Sequence, residues 1–180
     1  IISFYHCLDG QSINLSSAAT VKAGVTLDTS TVDNLTISGS QLNPAGAWGV
    51  TNGAGGQLTL ASVVSGSAGL TKTGAGTLVL SGTNTYSGVT TVNAGTLSVA
   101  GDANLGAASL SLSAGAVLNL TGVTTVDNAI SLAGAASINT DANVTLSGAL
   151  SGSSTLTKTG SATLTLSNTS NATGMSGGVT

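Results

Sequence analysis

Apolar residues alternate with Thr, Ser and Asn in short runs along the whole chain of 180 residues. In each run two aliphatic residues stand two positions apart, which is the period of a β-strand with one buried face. Gly, Asn, Asp and Ser separate the runs, and no stretch has helical spacing, so an all-β protein with many short strands is predicted. The pairs include Ile13/Leu15, Val25/Leu27, Leu35/Ile37, Leu58/Leu60, Leu78/Leu80, Leu97/Val99, Leu110/Leu112, Leu118/Leu120, Ile130/Leu132, Val144/Leu146 and Leu164/Leu166.

A spacing of about twenty residues connects many of these pairs, for example Leu58/Leu60 with Leu78/Leu80. A coil with one turn per spacing would stack its strands in parallel, about 4.8 Å apart, and align the apolar residues on inner ladders. An antiparallel β-sandwich also has short alternating strands, but it does not predict this interval. We therefore predict a parallel β-helix of about eight or nine coils. The register places Leu78, Leu80, Leu118, Leu120, Leu164 and Leu166 inside and Val79, Asn119 and Thr165 outside.

A longer repeat is superimposed on the coil period. Residues 58–83 return as residues 144–169, and 14 of the first 24 positions are identical without a gap. Lys72 and Lys158 occupy the same place in the two copies, 86 residues apart. If 86 residues make about four coils, the two lysines should lie on one face, about 19 Å apart along the axis. A shared structural role at a strand end explains them better than two ligand sites.

The first third of the chain follows the twenty-residue interval less well. Unusual residues are concentrated in IISFYHCLDG at residues 1–10 and in NPAGAWG at residues 43–49. Terminal coils of solenoids are atypical because they cover an open core, so caps or wide loops are predicted for both segments. We divide the chain into atypical coils or a cap at 1–57 and a β-helix at 58–180, which is expected to be truncated at its C-terminus.

Four phrases carry a resemblance to a known family: LTKTG at 70–74, TLVLSG at 77–82, NTYSG at 84–88 and NAGTL at 93–97. Together they resemble the passenger-associated repeat of bacterial autotransporters. The resemblance implies a right-handed β-helix that is exported and displayed at the bacterial cell surface or outer membrane. It also implies a C-terminal translocator barrel in the full-length parent, and a repeat that helps secretion and folding.

Composition narrows the possible functions further. Charged residues make up 5% of the chain, the formal net charge is −3, and neither Glu nor Arg occurs. No basic patch supports nucleic-acid binding. No apolar run approaches the eighteen or so residues of a membrane span. The single cysteine, Cys7, forms neither an internal disulfide nor a CxxC metal site.

Two patterns could carry catalysis. Asp28 and Asp33 are the closest acidic pair, and facing carboxylates can act as acid and base. We expect both to lie in polar turns. Residues 174–178, GMSGG, match the nucleophile-elbow pattern, but that chemistry needs a strand-to-helix turn with His and Asp partners, and no helix is predicted there. We therefore predict no catalytic residue and no enzyme activity.

A metal or cofactor site is not predicted either. His6, Cys7 and Asp9 are three possible ligands, but their spacing does not fit known structural zinc patterns. The sequence lacks the phosphate-binding GK[ST] loop and the calcium-binding nonapeptide repeat.

Three functions compete. The first is a structural stalk of an exported, adhesin-type surface protein whose ligand is unknown. The second is binding to ice or to a carbohydrate surface by a flat face with Thr-x-Thr on successive coils; Thr71/Thr73 and Thr157/Thr159 are such pairs, but 86 residues separate them. The third is a polysaccharide-active β-helix, which the missing acid cluster disfavours.

Overall fold

The computed structural model describes residues 11–30, 34–122, 124–171 and 176–180. Within these ranges the chain forms short β-strands and a single 3₁₀ turn at Asp102–Asn104. No helix of the described residues is long and apolar enough to cross a membrane. The strands are β1 Gln11–Leu15, β2 Ala19–Val21, β3 Thr26–Thr29, β4 Asn34–Gly39, β5 Leu42–Pro44, β6 Trp48–Asn52, β7 Gln57–Leu60, β8 Leu70–Thr73, β9 Thr77–Leu80, β10 Thr90–Val92, β11 Thr96–Val99, β12 Leu110–Leu112, β13 Val117–Leu120, β14 Thr125–Val126, β15 Ile130–Leu132, β16 Ala136–Thr140, β17 Val144–Leu146, β18 Leu150–Ser151, β19 Leu156–Thr159 and β20 Leu164–Leu166.

All the strand pairs are parallel, and they build a β-solenoid with three strand positions in each coil. The first position forms an eight-stranded sheet in the order β1-β4-β7-β9-β11-β13-β16-β19. The second is irregular and contains the two-stranded sheet β2-β5 and the three-stranded sheet β14-β17-β20. The third forms a seven-stranded sheet in the order β3-β6-β8-β10-β12-β15-β18. The predicted all-β, parallel coil is therefore confirmed.

Coil length changes near the proposed boundary at residue 57. Asn34 pairs with Gln57, 23 residues later, whereas Gln57 pairs with Thr77, 20 residues later. Later coils keep this shorter interval, as in the pairing of Val117 with Ser137. The larger early coils explain why the sequence before residue 57 fits the twenty-residue interval less well. The assignment of 1–57 as a separate unit stays a prediction.

The inner ladders follow the predicted register. Leu58, Leu78, Leu97, Leu118 and Ile138 pair successively in the eight-stranded sheet, and all are fully buried. Each strand adds aliphatic side chains above those of the preceding coil, which removes apolar surface from water along the whole stack. A narrow continuous core results, and each coil is stabilised mainly by its two neighbours.

The last ladder members are less covered. Leu164 and Leu166 in β20 are half-buried and pack against the core, while Thr165 between them is exposed. They alternate as predicted, but β20 is an outer strand of its sheet, so only β17 pairs with it in that sheet.

The prediction that Lys72 and Lys158 share a face is wrong. Lys72 lies in the seven-stranded sheet, where it pairs with Val50 and Val92. Lys158 lies in the eight-stranded sheet, where it pairs with Ile138. Four coils span 80 residues along the ladder from Leu70 to Leu150. The 86-residue repeat is six residues longer, so its second copy moves to the next strand position of the coil.

The prediction of a cap or wide loop at residues 43–49 is also wrong. Pro44 ends β5, and Trp48 begins β6 with 3% of its surface exposed. Trp48 pairs with Leu70, so the large indole fills a position of the inner ladder in one of the wide early coils. The other predicted cap, at residues 1–10, lies outside the described residues.

Candidate functional site

The acidic pair considered for catalysis is not assembled in the described part of the chain. Asp28 lies exposed on β3, and its Oδ1 accepts the backbone N–H of Ser30 at 2.8 Å. Hydrogen bonds from Ser30, first from the side chain and then from the backbone, hold the pKa of Asp28 below its usual value. A carboxylate of this kind is a poor general acid at neutral pH. Asp33 lies outside the described residues.

The other sequence candidates are only partly visible. Ser176 is exposed, and its backbone N–H donates to the carbonyl of Gly152 at 3.1 Å. Gly174 and Met175, and the possible ligands at 6–9, lie outside the described residues. Among the residues that the structure does describe, no three His, Cys, Asp or Glu side chains come together as a metal site.

The outer polar side chains mainly bond to each other along the stack. On the eight-stranded sheet, Asn139 Nδ2 donates to Asn119 Oδ1 at 2.7 Å, and Asn119 Nδ2 donates to Ser98 Oγ at 3.3 Å. Thr159 Oγ1 donates to Asn139 Oδ1 at 3.2 Å. These side chains therefore tie successive coils together, in a direction that stabilises the solenoid rather than converging on a ligand.

The seven-stranded sheet carries a shallow notch in a row of hydroxyls. Its outer row runs through Thr26, Gly49, Thr71 and Thr91, in register. Because Gly49 has no side chain, a depression of about 260 Å³ opens there, lined also by Gly24, Ala47, Trp48 and Thr73. No charged side chain lines the notch.

Lys72 is the most unusual residue of the inner surface. It occupies an inward ladder position between Val50 and Val92, and its side chain has no exposed surface. Its Nζ donates to the carbonyl oxygens of Thr73, Gly74 and Ala94 at 3.2, 3.0 and 3.2 Å. Burial lowers the pKa of Lys72 to about 8. Hydrogen bonds to the ammonium act in the opposite direction, because they favour the charged form.

Lys158 repeats the local part of this geometry at a different place in the coil. Its Nζ donates to the carbonyl oxygens of Thr159 and Gly160 at 2.7 and 2.8 Å. Gly160 and Gly74 have nearly the same backbone angle, with φ of 77° and 74°, in the left-handed region that glycine tolerates. The LTKTG phrase therefore folds into the same strand end in both copies, as the sequence indicated.

The NTYSG phrase also has a structural role. Asn84 Oδ1 accepts the backbone N–H of Val64 at 2.8 Å, and its Nδ2 donates to the carbonyl of Asn104. The Tyr86 hydroxyl, buried in the core, bonds to Thr90 Oγ1 at 2.7 Å. The phrase thus connects three successive coils where regular strand pairing is interrupted.

Sequence reasoning missed the buried asparagines at this irregular position of the coil. Asn104 Nδ2 donates to the carbonyl of Gly82 at 3.0 Å, and Asn171 Oδ1 accepts the N–H of Leu150 at 2.7 Å. Asn171 bonds to the preceding coil as Asn84 does, although the NTYSG phrase is absent from the second copy. The detectable signal was the return of Asn about every twenty residues, for example at 84 and 104.

Comparison with known proteins agrees with this geometry. The passenger-associated-transport-repeat family matches residues 70–99 and 156–180, which contain both LTKTG corners. The chain is a repeat region of an autotransporter passenger. In the first copy the match extends from LTKTG through the buried Asn84 and Tyr86 to the NAGTL phrase.

This passenger region also resembles a curated adhesin. It is 46% identical over 118 residues to "Adhesin BmaC autotransporter" from Brucella suis biovar 1 (strain 1330), a match that covers 65% of this chain. The match covers 4% of the relative's length, so the passenger region corresponds to a small part of that protein. No solved structure matches the chain.

Proposed function

We propose that this passenger region is a non-catalytic stalk segment of an exported bacterial surface protein of the adhesin type. The cross-coil bonding of the polar groups carries the proposal. Outer amides such as Asn119 and Asn139, and buried ones such as Asn84 and Asn104, bond to adjacent coils. Catalysis needs convergent groups with tuned proton affinities, whereas a stalk needs repeated contacts between neighbouring coils.

The comparisons support the cellular setting of the proposal. The curated relative is named an adhesin and an autotransporter, and the matched family is named for passenger-associated transport. We infer that the parent protein is displayed outside the bacterial cell and has a C-terminal translocator barrel. The host or environmental surface that the parent binds is not specified by the stalk.

Deletion of residues 69–106 from the parent protein tests the proposal. This segment contains the first LTKTG, NTYSG and NAGTL phrases. We expect surface display, measured by antibody labelling of intact cells, to fall, and we expect no hydrolytic activity in the purified 180-residue chain. Retained display together with loss of a hydrolytic activity of the parent would contradict a non-catalytic stalk.

A second candidate function is binding of a neutral glycan at the notch around Gly49. Glycine weakens a strand interior and can mark close approach of a ligand, and Gly49 is not among the positive-φ glycines, so its backbone does not require glycine. Thr26, Thr71 and Thr73 supply hydroxyl groups at the rim. The regular Thr-x-Thr face is not supported, because Thr71/Thr73 and Thr157/Thr159 lie in different sheets.

The notch is tested by filling it. Gly49→Val should abolish binding to an array of neutral glycans, whereas Thr91→Val, in the same row but outside the notch, should not. Equal binding by both variants and the wild-type chain, or no binding by the wild-type chain, would remove this candidate.

A further inference from the structure

The two copies of LTKTG differ in one contact. Lys72 and Lys158 each donate to two carbonyl oxygens of their own strand end. Only Lys72 has a third acceptor, the carbonyl oxygen of Ala94, which belongs to the following coil. Lys72 is completely buried, whereas Lys158 is half-buried. The local bonds thus form at both sites, and the third bond accompanies complete burial.

The acceptor comes from the NAGTL phrase of the next coil. Asn93 pairs its backbone N–H with the carbonyl of Lys72 at 2.9 Å, so the two corners are in direct register. Gly95, with φ of 68°, lies against Gly74 and Gly76 so closely that a Cβ at 95 would collide with their carbonyl oxygens. A glycine at 95 therefore lets the Ala94 carbonyl approach the Lys72 ammonium.

An ammonium group has three N–H donors, and at Lys72 the strand end itself satisfies two of them. The inward position also places the lysine stem in the aliphatic ladder between Val50 and Val92. Neither neighbour is ionisable, and no carboxylate pairs with Lys72. The unsatisfied third donor faces the place where the next coil arrives, and burying it without an acceptor would be unfavourable.

We propose that the lysine of LTKTG is a latch for coil docking: its own strand end orients the ammonium, and the NAGTL carbonyl of the next coil then receives the third hydrogen bond. The latch selects the register of the incoming coil, because a corner displaced by one residue would present its carbonyl elsewhere. This inference deepens the proposed stalk function, since a stalk that folds as it is exported must add its coils in register.

Hydrogen exchange on the purified chain tests the latch separately from export. Lys72→Met keeps most of the aliphatic stem and removes the three donors. We expect exchange of the Asn93 and Thr96 amides, which bond to the preceding coil, to become about tenfold faster. The remote Ser137 amide should be unaffected. The matched control, Lys158→Met, should leave Asn93 and Thr96 unchanged.

Unchanged exchange at Asn93 and Thr96 in Lys72→Met, or equal acceleration in the Lys158→Met control, would overturn the latch. If Lys72→Met does not fold, NMR of the wild-type chain labelled with ¹⁵N-lysine still decides. The Lys72 ammonium protons should exchange slowly and those of Lys158 rapidly; rapid exchange of both would contradict the proposal. Loss of surface display in the deletion described above would affect none of these measurements.

Discussion

Leu118 and Asn119 are adjacent residues that face opposite sides of the same strand, so one substitution at each tests the register. Leu118 has no exposed surface and pairs with Leu97 and Ile138 in the inner ladder. Asn119 is half-buried on the outer side, between Ser98 and Asn139. We predict that Leu118→Asp abolishes folding at neutral pH and that Asn119→Asp is mild.

The magnitudes follow from the two environments. Replacing a buried leucine by a small side chain costs about 2–5 kcal/mol, and an unsatisfied buried polar group adds about 1–3 kcal/mol. Their sum approaches the total stability of about 5–15 kcal/mol that is usual for a domain. Asp at 119 still accepts the hydrogen bond from Asn139 and can accept one from Ser98, so we expect a loss below about 1 kcal/mol.

Urea denaturation followed by far-UV circular dichroism measures both effects on the purified chain. The Leu118→Asp variant should lack the β-sheet signal or unfold at much lower urea, and Asn119→Asp should unfold close to the wild-type midpoint. Equal midpoint shifts for the two variants would refute the assigned register and the inner ladder with it.

Three further outcomes are expected. Because the folded pKa of Lys72 is about 8 and the usual lysine value is 10.5, the unfolded chain binds more protons between these pH values. Unfolding free energy should therefore rise with pH across this window, by at most about 1.4 kcal/mol per pH unit, and Lys72→Met should flatten the rise in urea titrations. Gly95→Ala should lower the melting temperature much more than Gly115→Ala, because both have positive φ but only Gly95 is crowded. Asn84→Ala should cost about 1–3 kcal/mol in chemical denaturation, whereas exposed Thr85→Ala should be nearly neutral.

The parallel coil could be predicted because one physical constraint repeats. Every coil buries aliphatic residues at two-residue spacing, as at Leu78 and Leu80, and the ladder then imposes a nearly constant interval. The face of Lys158 could not be predicted from that interval alone. A repeat of 86 residues and a coil of about twenty are close to a whole-number ratio, and small changes in corner length decide the difference.

Burial of individual polar and aromatic residues was harder to predict. The NPAGAWG segment has loop-like composition, but Trp48 replaces an aliphatic residue in the ladder of a wider coil. Lys72 has the sequence context of a strand end, and its complete burial depends on the Ala94 carbonyl of the next coil. Both outcomes are set by contacts more than twenty residues away along the chain, which local patterns do not contain.

The most direct test of the stalk is deletion of one whole coil from the parent. Leu118 and Ile138 are ladder partners, so removal of residues 119–138 deletes one 20-residue turn and keeps the register of the coils on either side. Removal of residues 119–128 deletes half as much chain and breaks the register. We predict that the whole-coil deletion retains surface display and adhesion to the parent's natural target, and that the half-coil deletion loses both. Equal loss of display by both deletions would contradict a solenoid stalk whose coils are interchangeable spacers.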